Sequence, residues 1–267
     1  MVSMPKERPS SRAGVIRGVI LPPLRSAGVL GTIVLTLFLS GCLYTGREEG
    51  KTAVSYRESV SRVQSAVDDF YKEEGVLPIL NADGATPRFE KFRIDLDKLN
   101  KKGYLDDIPA AAFEKGGSAY FLLLDEERDP TVKVMDLVTV QAVNDVQRKV
   151  NLYRSAHNGE LPAAGEMYPG LYKIDGKKAG TEWIKLASVY SGQEMDFIMD
   201  KSGGVYADYA FDIMAVIDKT GVQPAAGEDL RPLLLGSSWF VPVKSLPYYW
   251  AGGQPVPRTP SNGQGAE

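Results

Sequence analysis

Apolar residues recur at spacings of three and four in two long stretches of the chain. Val60, Val63, Val67, Phe70 and Tyr71 fall on one face of a helix expected over 54–74. Gly75 stops that helix, and Pro78 lies just beyond it. Val138, Val140, Val143, Val146, Val150 and Tyr153 make a similar stripe on a helix expected over 137–157. Asp136 is placed to cap its start, and Gly159 and Pro162 end it. Elsewhere the pattern shortens to β-type runs. Residues 119–124 and 131–135 read as a hairpin joined by Asp125-Glu126-Glu127-Arg128-Asp129-Pro130. Residues 195–199 and 205–209 flank Asp200-Lys201-Ser202-Gly203-Gly204 and read as another. Shorter helices are expected at 210–219 and 229–235. Residues 239–243 suit an edge strand, because Pro242 has no ladder donor.

The two long segments resemble each other. Val63-Gln64, Val67 and Phe70 match Val146-Gln147, Val150 and Tyr153 at an offset of 83. Gly75-Val76-Leu77-Pro78 matches Gly159-Glu160-Leu161-Pro162 at an offset of 84, and Phe92-Arg93-Ile94-Asp95 echoes Tyr172-Lys173-Ile174-Asp175. In each half a Gly-Gly turn precedes an aromatic run: Gly116-Gly117 before Tyr120-Phe121, and Gly203-Gly204 before Val205-Tyr206. The expected class is α+β, with two tandem units at 53–136 and 137–250, each a long helix followed by a small antiparallel sheet. The tail from 251 to 267 is rich in Gly, Pro, Ser and Gln and reads as disordered.

The start of the chain has another character. Its first forty positions carry Lys6, Arg8, Arg12, Arg17 and Arg25 against Glu7 alone, followed by an uncharged, mostly apolar run over 29–39. That run is short for a bilayer span but suits the core of a signal peptide at 1–41. Leu39-Ser40-Gly41-Cys42 resembles the lipobox of bacterial lipoproteins, in which the cysteine accepts a diacylglyceryl lipid and becomes the first residue. Cys42 is the only cysteine, so no internal disulfide competes for its thiol. The resemblance implies an anchor on the extracytoplasmic face of the cell membrane, with 42–52 as a lipidated tether. Taking the five bases and one acid of the first forty residues from 31 and 34 leaves 26 and 33, a formal charge of −7. That balance argues against nucleic acid as a partner.

Two further resemblances concern the folded part. Gly75, Leu77 and Pro78, then Gly103-Tyr104-Leu105 with Pro109, then Phe113, Gly116, Gly117 and Tyr120 are similar to the soluble domain of type II secretion pseudopilins. The likeness implies shape and not polymerisation, because pseudopilins carry a hydrophobic helix contiguous with the soluble one. Cys42-Leu43-Tyr44, the Val63–Val67 segment and Pro130-Thr131-Val132-Lys133 leading into Asp136-Leu137 resemble a family of lipoproteins from Bacillus-like bacteria. Members of that family are labelled as substrate-binding proteins of ABC transporters.

Candidate chemistry is sparse. His157 is the only histidine, and it sits at the expected end of a helix, where imidazole commonly meets free carbonyls. No His-rich metal site can form, and no catalytic residue is assigned. Asp95, Asp97, Asp106 and Asp107 are the one carboxylate cluster with a claim on calcium, although they lack EF-hand spacing. No other cofactor is expected. Trp239, Tyr248, Tyr249 and Trp250 can form a surface for a partner, or can cover the core of the second unit, the preferred reading. The expected function is non-enzymatic binding or scaffolding at the cell envelope, with an envelope protein or the wall as partner. The alternative, a substrate-binding lipoprotein working with a transporter permease, requires a deep cleft between two lobes. Hydrolysis by a carboxylate pair would require two acids facing each other in a pocket.

Overall fold

A computed structural model describes residues 48–260. The expected signal peptide, the lipobox residues Leu39, Ser40 and Gly41, and Cys42 lie outside the described residues. Helix α1 runs from Glu48 to Glu74, so it begins inside the stretch expected to be a tether. Tyr56, Val60, Val63, Ala66, Val67 and Phe70 of α1 are buried at spacings of three and four. Tyr71 was expected on that face, but it lies a step past Phe70 and is exposed. The helix closes with Gly75 donating to the Tyr71 carbonyl at 3.0 Å and a positive φ of 71° at Gly75.

After α1 the chain makes two single antiparallel bridges and then a two-stranded antiparallel sheet, which together run as a meander. Ile79 bridges Ile94, Arg93 bridges Leu122, and strand β1 (Ala119–Leu124) pairs with β2 (Thr131–Asp136). A short helix, α2 (Leu96–Lys101), is inserted after the second of these passes. The run Phe121-Leu122-Leu123-Leu124 does not alternate because both faces of β1 are covered. Phe121 and Leu123 join the α1 core, while Leu122 and Leu124 join Phe89, Met135, Val241 and Val243 on the other side. Gly117 is needed where the chain enters β1, because a Cβ there would lie 2.2 Å from the Ala111 carbonyl oxygen.

The second unit repeats the plan. Helix α3 (Leu137–Ala156) starts at Asp136, whose carboxylate accepts from the Thr139 amide at 2.7 Å. Four strands follow: β3 (Ala163–Tyr168), β4 (Leu171–Ile174), β5 (Phe197–Asp200) and β6 (Val205–Ala207), in that spatial order. The single turn of α4 (Gly176–Ala179) occupies the place of α2. Asp175 caps α4 as Asp95 caps α2, and their amides donate to the Pro162 and Pro78 carbonyls at 2.7 and 2.8 Å.

A pair of glutamines shows the repeat at atomic detail. The Gln64 amide group donates to the Pro130 carbonyl at 2.9 Å and accepts from the Val132 N–H at 2.7 Å. Gln147, its counterpart on α3, donates to the Gly203 carbonyl at 2.7 Å and accepts from the Val205 N–H at 2.8 Å. Each helix therefore holds the last strand of its own meander through one primary amide. Gly203, at a φ of 88°, turns the chain so that its carbonyl meets Gln147.

The C-terminal segment ties the units together. Helices α5 (Ala210–Thr220) and α6 (Pro232–Ser237) follow β6, and a strap over 238–247 then crosses from one sheet to the other. Val134 of β2 accepts from Val241 at 2.9 Å and donates to Trp239 at 2.8 Å, while Ala207 of β6 donates to the Lys244 carbonyl at 2.9 Å. The chain ends in a hairpin of β7 (Tyr248–Ala251) and β8 (Gln254–Pro257). The tail expected to be disordered from 251 is thus a strand up to Pro257, since Pro255 and Pro257 are buried although their composition is that of a linker.

Replacing Gln64 or Gln147 by Ala should each lower stability by about 1–3 kcal/mol, because a strand N–H and a carbonyl lose their partner. The two losses should add within about 0.5 kcal/mol in the double variant. Urea unfolding of the three variants checks this, and unchanged midpoints would remove the clasp from the account of the fold.

Candidate functional site

The β6–α5 junction brings the most polar chemistry into the interior. Asp208 accepts from the Tyr168 hydroxyl of β3 at 2.8 Å, from the Tyr248 hydroxyl of β7 at 2.8 Å and from the Ala210 amide at 3.0 Å. Tyr248 in turn accepts from the Tyr209 amide at 2.8 Å, and the Tyr209 hydroxyl donates to the Val243 carbonyl at 2.9 Å. Burial pushes the hydroxyls of Tyr209 and Tyr248 well above their ordinary pKa, so both remain donors. One carboxylate thereby links the sheet, a helix start and the terminal hairpin.

One helical turn on, Asp212 is 3% exposed. Its Oδ2 accepts from the Ser188 hydroxyl at 2.8 Å, and its Oδ1 is buried without a partner. Burial raises its carboxyl pKa, the nearby Ser191 and Ser188 hydroxyls oppose the shift, and the charge of Asp208 adds to it. Both aspartates line a pocket of about 200 Å³ with Met167, Phe211, Glu194 and Asp196 also in its wall.

Two other concavities lie where the tandem units meet. A cleft of about 190 Å³ is lined by Phe89, Glu90, Gln147, Arg231 and Lys244. Lys244 pairs with Glu90 at 3.0 Å, and the Arg231 guanidinium stands 4.9 Å from the centre of the Phe89 ring. A broad open groove is formed by Phe113, Gly117, Val138, Gln141, Trp183 and Ile184. Its apolar residues are unusually bare: Trp183 is 71% exposed, Val138 58% and Phe113 54%.

The residues singled out from sequence fare differently. Asp95 is occupied in capping α2, where it accepts from the Lys98 amide at 2.9 Å. Asp97, Asp106 and Asp107 are exposed, and Asp107 pairs with Lys115 at 3.1 Å. The four do not converge, and among the described residues no group of three His, Cys, Asp or Glu is arranged to hold a metal ion. Burial of Leu105 and Ile108 fixes the intervening loop with its two acids facing outward. Tyr248 is wholly buried and belongs to the core, not to a partner surface. Trp250 packs against the second core, Tyr249 lies under the Arg258 guanidinium at 5.1 Å, and Trp239 is 38% exposed. His157 stacks on Tyr153, and its Nδ1 lies 2.8 Å from the Tyr153 carbonyl at the end of α3. Asp208 and Asp212 were missed because neither spacing nor motif marks them. Val138 was expected in the apolar stripe of α3, but the buried stripe runs through Thr139, Val143, Val146 and Val150 and leaves Val138 exposed.

The described residues thus define an α+β protein of two helix-and-meander units tied by a C-terminal strap. Residues 56–136, the first of those units, match a bacterial family model described as the YphF family N-terminal domain. Neither the curated proteins nor the solved structures returned a match. Among the described residues no helix is long and apolar enough to cross a membrane.

Asp212→Asn should stabilise the fold at neutral pH. A carboxyl whose folded pKa is raised contributes most below its unfolded value, about 4, and loses that contribution as pH rises through the folded value. The variant should therefore melt higher than the parent at pH 7, with the difference closing toward pH 4. A lower melting temperature at pH 7, or a pH-independent gap, would contradict the assignment of Asp212 as an unpaired buried acid.

Proposed function

We propose that this chain is a lipid-anchored envelope protein with a binding or scaffolding role, holding a protein partner on the apolar groove around Trp183. The anchor rests on Leu39-Ser40-Gly41-Cys42, which places a free thiol behind an aliphatic residue and two small ones. The binding role rests on one observation: Phe113, Val138 and Trp183, from both tandem units, are more than half exposed in a single concavity. Large apolar side chains gathered in this way mark interaction surfaces, because leaving them in water is unfavourable until a partner covers them. Asp145, Gln141 and Lys185 rim the groove, giving the apolar centre and polar border that a protein interface needs.

A substrate-binding role beside an ABC transporter draws on the 190 Å³ cleft between the units. That volume is below the roughly 300–1,000 Å³ of common ligand pockets, and the Lys244–Glu90 pair occupies part of its wall.

The test has two independent readouts on the full chain in a bacterial host. Cys42→Ala should shift the protein out of the membrane fraction. A photo-crosslinking residue at position 183 should yield one discrete adduct that Val138→Asp removes, while the same residue at position 65 on α1 yields none. Equal membrane retention of the alanine variant would sink the anchor, and adducts insensitive to Val138→Asp would sink the groove.

A further inference from the structure

The cleft lined by Phe89, Glu90, Arg231 and Lys244 carries chemistry that the groove around Trp183 does not use. Two ion pairs meet there. Lys244 Nζ donates to Glu90 Oε2 at 3.0 Å, and Arg231 Nε and Nη2 donate to Asp229, which stands outside the cleft wall. Each pair leaves capacity unused. Lys244 Nζ keeps two further hydrogens, and Glu90 Oε1 accepts from none of the described residues. Arg231 Nη1 reaches only the carbonyl and hydroxyl of Ser245, both at 3.4 Å, and Ser245 belongs to the cleft wall. The side chains of Lys244, Glu90 and Arg231 are 25%, 18% and 15% exposed, so an occupant can reach them. Phe89, Val143 and Val205 make the same wall partly apolar. The left-handed backbone at Lys244, with a φ of 55°, is a strained conformation of the kind found where side chains are held for a ligand.

We propose that this cleft binds a small zwitterion of the α-amino acid class, its ammonium on Glu90, its carboxylate on Lys244 and Arg231 Nη1, and its side chain against Phe89 and Val143. Charge selects this class. The two ion pairs already cancel, so an occupant with a net charge leaves that charge uncompensated in a half-buried site. A wholly apolar occupant strips water from the spare donors and acceptor and supplies nothing in its place. A zwitterion adds no net charge and meets both with charge-assisted hydrogen bonds. The volume of about 190 Å³ holds the occupant well below drug size and suits a compact amino acid. The wall comes from the first unit, from α3 and from the strap, so an occupant joins the segments that bind the two units together. It stabilises the folded chain as it saturates.

Glycine, L-valine and L-leucine serve as zwitterionic probes, L-valinamide carries the cation alone, and N-acetyl-L-valine the anion alone. Saturation-transfer NMR on the full chain in detergent micelles should show saturable binding of at least one zwitterion. The amide and the N-acetyl compound should bind at least about tenfold more weakly. Lys244→Gly suits the φ of 55° and removes the ammonium, so the strap keeps its path while the zwitterion loses about tenfold or more in affinity. Glu90→Gln should lose the zwitterion likewise and, with Lys244 released, bind N-acetyl-L-valine more tightly than the parent does. General loosening of the fold would not reverse the preference in this way, and circular dichroism checks that both variants are folded. Glu160→Gln, outside the cleft wall, should bind as the parent does. No saturable binding of any zwitterion, equal binding of L-valine and its amide, unchanged affinity in either cleft variant, or no gain for the anion in Glu90→Gln would overturn the proposal. The site depends on neither Cys42 nor the groove around Trp183, so failure here leaves the membrane and crosslinking results unaffected.

Discussion

Two small sheets in one chain present a common difficulty: each ends in an outer strand with unpaired N–H and C=O groups. Here β2 and β6 are those strands, and the segment 239–244 covers both. It pairs with Val134 of β2 through Trp239 and Val241, then presents the Lys244 carbonyl to Ala207 of β6. The turn between these contacts places Lys244 at a φ of 55°, a left-handed conformation that a lysine adopts only when its surroundings enforce it. Its side chain reaches back to Glu90 in the first unit, and Lys133 of β2 donates to the Leu235 and Ser238 carbonyls at the end of α6. The strap's apolar residues Val241 and Val243 complete the core that Leu122, Leu124 and Met135 begin. Edge pairing, ion pairing and burial thus converge on one short stretch, and the two units become a single packed body through it.

This arrangement shapes where the open surfaces fall. Covering β2 and β6 on one side leaves the start of α3 and the loop around Trp183 on another, with none of the described residues packed over them. It also draws the terminal hairpin under the β6–α5 junction, where Tyr248 donates to Asp208 and accepts from Tyr209. Asp208 is thereby saturated and Asp212, four residues on, is not. The two carboxylates, four residues apart, thus differ in how far the fold supplies them with donors.

The periodic parts of this architecture were legible in the chain itself. Spacings of three and four placed α1 and α3, and Gly-x-Leu-Pro marked both helix ends. The offset of 83 between Val63-Gln64 and Val146-Gln147 paired residues that perform the same clasp. These features are local: a stripe, a stop signal and a helix-to-hairpin contact depend on neighbours along the sequence or on one repeating packing rule. Strands β3 and β4 were not recognised as strands, because Ala163–Tyr168 is largely exposed and lacks alternation. The hairpin at β7 and β8 was hidden by its prolines, which suit an edge position but read as linker.

Composition also fixed which chemistries the chain lacks the residues for, since one histidine and one cysteine limit metal and nucleophile arrangements before any folding. What the tertiary structure alone decided is which side chains meet. Asp95 became a cap instead of a ligand because the amide of Lys98 lies within reach. Tyr248 entered the core because the strap carries it to Asp208, whereas Trp183 stayed outside because none of the later described segments returns to cover it. Each outcome depends on residues tens of positions apart being brought together. Sequence spacing records the face a residue occupies on its own element; the opposing surface is supplied only when the elements pack.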